Sequence, residues 1–228
     1  ALNLSENSPF INLFEQIFQT EVDLEKEKYK LASRSDFNVE DAFRYFETKT
    51  SSTCFSLNEC DFITGLNNLG LYPTPEEVGN ILKKYSLQRT GEINYADLFD
   101  MLVPFDKRKR DDIENRTATK NMSKQISESL LNYIDFIFDS ERKIDEVRKK
   151  LIEIKRFDPA KYFEEEMDTN GIGYITIQDF EKFLKSKGLV KKEREADLVF
   201  IRLDRNRDGK VAIDEFTNEF TPLETKLN

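Results

Sequence analysis

Residues 204–215 read D-R-N-R-D-G-K-V-A-I-D-E. Asp204, Asn206 and Asp208 alternate along this stretch, so their side-chain oxygens can converge on one point. Gly209 follows them, where a sharp bend needs a backbone conformation that costs glycine little. Lys210 offers its main-chain carbonyl and leaves its ammonium to water. Ala212 has no side-chain donor, so a water is expected at its place. Glu215 closes the stretch with an arm long enough to present both carboxylate oxygens. Hard oxygen donors at positions 1, 3, 5, 7 and 12, with glycine at 6, are what a Ca²⁺ ion of flexible coordination requires.

On these residues the stretch resembles the calcium loop of an EF-hand, the calmodulin-like superfamily. The resemblance implies a pair of helices flanking the loop and a second hand packed beside it.

Three further stretches stand where such loops are expected. Residues 168–179 read D-T-N-G-I-G-Y-I-T-I-Q-D. Asp168 and Asn170 are proper ligands, the Tyr174 carbonyl and Thr176 fall at the next positions, and Gly173 is at the bend. Ile172 stands where a third side-chain oxygen belongs, and Asp179 closes the loop with a shorter arm than Glu. Weak binding, open to Mg²⁺ competition, is the expectation there. Residues 86–97 have the right length and Gly91 at the bend, but Ser86, Gln88 and Thr90 are neutral. Asp97 alone is an acidic side-chain ligand, and one carboxylate compensates a desolvated dication poorly. Leu69-Gly70 and Pro73-Thr74 resemble the end of one calmodulin-type helix and the start of the next. They place a first loop between Phe46 and Phe62, with Asp61 at its close. That loop is overlong, has Thr and Ser for carboxylates, and lacks the bend glycine. Zinc at Cys54 and Cys60 would need further soft ligands, and none is evident.

The chain also repeats itself. Shifted by 120 residues, Ile17, Phe18, Glu21, Leu24, Leu31 and Phe37 fall on Ile137, Phe138, Glu141, Ile144, Leu151 and Phe157. Shifted by 118, Phe62, Leu66, Gly70 and Leu71 fall on Phe180, Leu184, Gly188 and Leu189. Each half is therefore a long helix followed by two hand-like units. Residues 10–34 carry an apolar stripe of Leu13, Ile17, Leu24 and Leu31, widened by Phe10, Phe14 and Phe18. Residues 123–156 carry a heptad stripe from Ile126 to Ile154. Two roles for that stripe compete: a coiled coil or partner-binding helix, and packing against the chain's own hands. Paired hands lie side by side in a short ribbon, which sets Ile175 near Val211 and Leu57 near Ile93.

The expected fold is all-α: two EF-hand pairs, four hands and mostly degenerate, each pair preceded by a long amphipathic helix. The divisions are 1–36 (first long helix, after a polar lead-in), 37–104 (first pair), 105–156 (charged linker and second long helix) and 157–228 (second pair). The linker run from Asp106 to Asp112 suits a solvated helix or a hinge.

The 228 residues carry a net charge of −9, which disfavours a nucleic-acid partner. There is no His, no phosphate-cradling glycine loop and no nucleophile elbow, so an enzyme is disfavoured. Two Cys make no disulfide framework and point to a reducing compartment. No stretch is apolar enough for a membrane span, and no targeting leader opens the chain. The expected function is calcium-binding regulation or adaptation: Ca²⁺ bound mainly at the fourth hand, in the cytoplasm, with a helical protein target. The alternative is a structural protein of the cytoskeleton or cilium, as in centrin-like proteins, whose hands serve as packing modules.

Overall fold

The computed structural model describes residues 8–47, 56–87, 90–153, 158–189 and 195–223. The readings made above for residues 1–7, for the first loop at 48–55 with Cys54, for Gln88, and for Ile154 and Phe157 lie outside them.

Helix dominates. In chain order come α1 (Ser8–Ala32), α2 (Val39–Phe46), β1 (Ser56–Leu57), α3 (Glu59–Leu69), α4 (Pro75–Tyr85), β2 (Ile93–Asn94), α5 (Tyr95–Leu102) and α6 (Lys107–Glu114). Then follow α7 (Lys124–Ile152), α8 (Pro159–Tyr162) widening into a π-turn (Phe163–Met167), β3 (Tyr174–Thr176), α9 (Ile177–Ser186), α10 (Glu195–Leu203), β4 (Lys210–Ala212) and α11 (Ile213–Phe220). No helix among the described residues is long and apolar enough to cross a membrane.

The chain divides into two compact units: Asp23–Asp139, and Ala1–Val22 with Ser140–Asn228. Both divisions fall inside the long helices α1 and α7.

In the unit Asp23–Asp139, β1 and β2 form an antiparallel ribbon with Leu57 opposite Ile93. The helix starts are chemically marked. Asn58 with Asp61, Thr74 with Glu77, and Asn94 with Asp97 each form a reciprocal capping box. Gly70 ends α3 at φ +93°, the left-handed geometry of a glycine cap. Beneath the ribbon, Phe46 stacks on Phe62 at 4.7 Å between ring centroids. The downstream half of α1 and the upstream half of α7 complete this core: Leu24 and Leu31 from the first, Ile126, Leu130, Ile134, Ile137 and Phe138 from the second. The Tyr133 hydroxyl donates to the Met101 carbonyl at 2.6 Å.

The charged linker is half solvated and then pinned down. α6 buries Ile113 alone. Past its end, the Arg116 guanidinium donates to the carbonyls of Ala32, Arg34 and Phe37 at 2.6–3.0 Å, tying the linker to the turn between α1 and α2. Buried Asp41 accepts from the Thr119 amide and hydroxyl and from the Lys120 amide, at 2.8–2.9 Å.

In the other unit, β3 and β4 pair antiparallel with Ile175 opposite Val211. Its core is aromatic. From α1 come Phe10, Leu13, Phe14, Ile17 and Phe18, and from α7 Ile144 and Leu151. Phe10 and Phe14 lie 4.9 and 5.0 Å from Phe220, which is 4.5 Å from Phe216. Each long helix is thus shared between the cores. Its downstream half packs with the helices that follow it, and its upstream half with those that follow the other long helix. From Ile126 to Leu151 the heptad stripe of α7 is spent on the chain's own cores.

Candidate functional site

The loop 204–215 joins α10 to α11 and contains β4. Arg207 and Gly209 adopt positive φ, +58° and +81°, which curls the loop back on itself. Inside the curl the Asp204 carboxylate accepts from the amides of Asp208 and Gly209 at 3.2 and 2.9 Å. Asn206 Oδ1 accepts from the Asp208 amide at 2.8 Å, and Asp208 Oδ1 from the Lys210 amide at 2.9 Å. Glu215 crosses the loop: Oε1 accepts from the amides of Arg205 and Asn206 at 3.1 and 3.2 Å, and Oε2 from Ala212 at 3.1 Å. The first and last carboxylates of the stretch are thus both turned into one loop. Lys210 Nζ lies 4.2 Å from the centroid of the Tyr174 ring.

Burial pushes the Asp204 carboxyl above its ordinary value; the Gly209 amide opposes this, and the neighbouring Asp208 carboxylate adds to it. A group so placed gains from a nearby positive charge. Among the described residues no three His, Cys, Asp or Glu side chains stand close enough together to hold a metal by themselves. The donor chemistry still fits a hard dication. Asp204, Asn206, Asp208, the Lys210 carbonyl and Glu215 are all oxygen donors on one curled loop, and an ion would exchange with amide hydrogens for their lone pairs.

The loop 168–179 shares only its opening. Asp168 accepts from the amides of Ile172 and Gly173 at 3.1 and 2.7 Å, as Asp204 does in its own loop. Asp179 stays at the start of α9, bonded to the Thr176 amide and hydroxyl at 3.1 and 2.7 Å. These bonds hold its carboxyl below the ordinary value. The Ile172 side chain is half exposed, and Tyr174 pairs with Ala212 in the ribbon. In the loop 86–97 the Ser86 and Thr90 hydroxyls face each other at 3.4 Å, and Asp97 accepts from the amides of Leu87 and Asn94. Asp61 is likewise buried as a helix cap, and Cys60 is exposed with a free thiol.

Sequence reasoning missed a charged hub beside the loop. Arg202, on the last turn of α10, is almost fully buried. Its guanidinium donates to Glu21 of α1 at 2.6 Å, to Glu141 of α7 at 2.8 and 3.0 Å, and to Glu219 of α11 at 2.7 and 2.9 Å. Burial works against its charge, but Glu141, Glu219 and Glu21 outweigh it and keep the group firmly protonated. Glu219 is also bonded by Arg148 of α7 and by Arg205. Two repeat-matched glutamates, Glu21 and Glu141, bordering the apolar stripes were the signal that could have found this hub.

Residues 162–221 match the family of the EF-hand domain pair. A mouse protein, EF-hand calcium-binding domain-containing protein 6, is 22% identical over 165 residues, 72% of this chain. The chain spans about a tenth of the length of that relative. The chain carries an EF-hand domain pair at residues 162–221, and both likenesses support a place in the EF-hand superfamily.

Proposed function

We propose that the protein is a calcium-binding regulatory or adaptor protein that takes Ca²⁺ mainly at residues 204–215 and engages a protein partner. Asp204, Asn206, Asp208 and Glu215 supply side-chain oxygens, Lys210 its carbonyl, and a water stands at Ala212. The observation that carries this reading is Glu215 reaching back over its loop to the amides of Arg205 and Asn206, beside Asp204. The loop 168–179, with Asp168, Asn170, Tyr174, Thr176 and Asp179, is a weaker site where Mg²⁺ competes. Residues 37–104 form a second EF-hand pair whose loops no longer hold an ion and whose apolar core keeps it folded. The protein binds rather than catalyses, and its place is the cytoplasm.

One observation favours a second reading, a structural module of the cytoskeleton or cilium. The apolar cores are filled by the chain's own long helices, as a packing module requires. Native mass spectrometry in micromolar calcium tests the assignment. One ion retained by the natural chain and lost in Glu215→Gln supports it; equal retention by both rejects it.

A further inference from the structure

The upstream half of α1 packs into the core of the pair at 162–221. Phe10, Leu13, Phe14 and Ile17 are all buried in the core of the EF-hand pair. Phe10 and Phe14 rest on Phe216 and Phe220, one and five residues after Glu215 on α11. Arg202, two residues before Asp204, holds Glu21 on the same helix. The two helices that emerge from the loop therefore both grip α1, one through aromatic rings and the other through charge.

We propose that the segment 10–21 of α1 is the resident ligand of this pair, and that Ca²⁺ in the loop 204–215 tightens the hold on it. This rests on the calcium assignment proposed above. Asp204 and Glu215, which would both hold the ion, stand just past the end of α10 and in the first turn of α11, so holding it would restrain the two helices against each other. Arg202 on α10 would then keep its place against Glu219 on α11, with its guanidinium set for Glu21 and Glu141. Coupling of this kind is reciprocal, so a docked α1 raises affinity for the ion.

The other half of the repeat supplies an internal comparison. Lys84 and Met101 stand 118 positions before Arg202 and Glu219. Met101 is buried in an apolar core. The carboxylate of the hub is thus missing in the half whose second loop keeps a single acidic side-chain ligand, Asp97. Hub and complete loop occur together.

Hydrogen exchange on the natural full chain, with calcium and with chelator, reads the hold on α1 directly. Amides 12–22 are expected to exchange more slowly with calcium, and an apolar dye to bind less. Calorimetry then compares Glu21→Gln/Glu141→Gln with Glu27→Gln, whose exposed partner is Lys30 on the same helix. The double variant should bind calcium about fivefold more weakly or worse, and Glu27→Gln should bind it unchanged. Calcium that binds but leaves exchange at 12–22 unaltered or faster overturns the proposal. So does a double variant of natural affinity. A natural chain that takes up no calcium overturns the calcium assignment, and this coupling with it.

Discussion

The carboxylates of Glu21 and Glu141 meet on one nitrogen, Nη1 of Arg202, at 2.6 and 2.8 Å. They occupy equivalent places in the two long helices, yet both serve the pair at residues 162–221. Arg202 and Arg148, with Arg205 beside them, balance a set of buried and half-buried acids that includes Glu219. Arg202→Met leaves these carboxylates without their central cation. Stability should fall by about 3–5 kcal/mol, the usual cost of removing one member of a buried charge set. Urea denaturation measures it. Adding Glu21→Gln, Glu141→Gln and Glu219→Gln to Arg202→Met should recover part of the loss, since the stranded charges then disappear.

Gly65 sits inside α3, where alanine ordinarily gains about 1 kcal/mol. Here a Cβ would meet Phe46 Cδ1 at 2.2 Å and Cε1 at 2.7 Å. Phe46 cannot yield easily, because it is fully buried and stacked on Phe62. Gly65→Ala should therefore destabilise by about 1–3 kcal/mol, as overpacked cores do. A thermal melt checks the sign. A gain in stability would mean that the ring finds another place.

Asp41 is a buried carboxylate whose partners come from the linker, at the Thr119 amide and hydroxyl and the Lys120 amide. Removing it strands those donors. Asp41→Ala should cost about 2–3 kcal/mol, in line with hydrogen bonds to charged acceptors. Limited proteolysis should then cut first near residues 117–121, where the segment has lost its anchor.

Much of this was legible in the chain. Alternating oxygens, a bend glycine and a closing Glu define the loop 204–215 without reference to distant residues. The ribbon registers Ile175–Val211 and Leu57–Ile93 follow from loop alignment alone, because the strand residue in each loop stands at a fixed place before the closing acid: Asp61, Asp97, Asp179 or Glu215. The destination of each long helix was not legible. An apolar stripe states which face is buried, not what buries it, and Phe14 or Ile137 would suit either core equally. The hub was hidden for a related reason. Arg202 and Glu219 read as surface residues of short helices until α1 and α7 close over them. The linker looked solvated because its charges dominate, while the bonds that pin it run from Arg116 to main-chain carbonyls, which composition does not reveal.

Calcium titration calorimetry of the natural chain beside Asp204→Ala and Asp168→Ala is the most direct test. The expected result is one dominant binding event, abolished by Asp204→Ala and kept by Asp168→Ala. A dominant event that survives Asp204→Ala and vanishes in Asp168→Ala would contradict the assignment of the ion to residues 204–215.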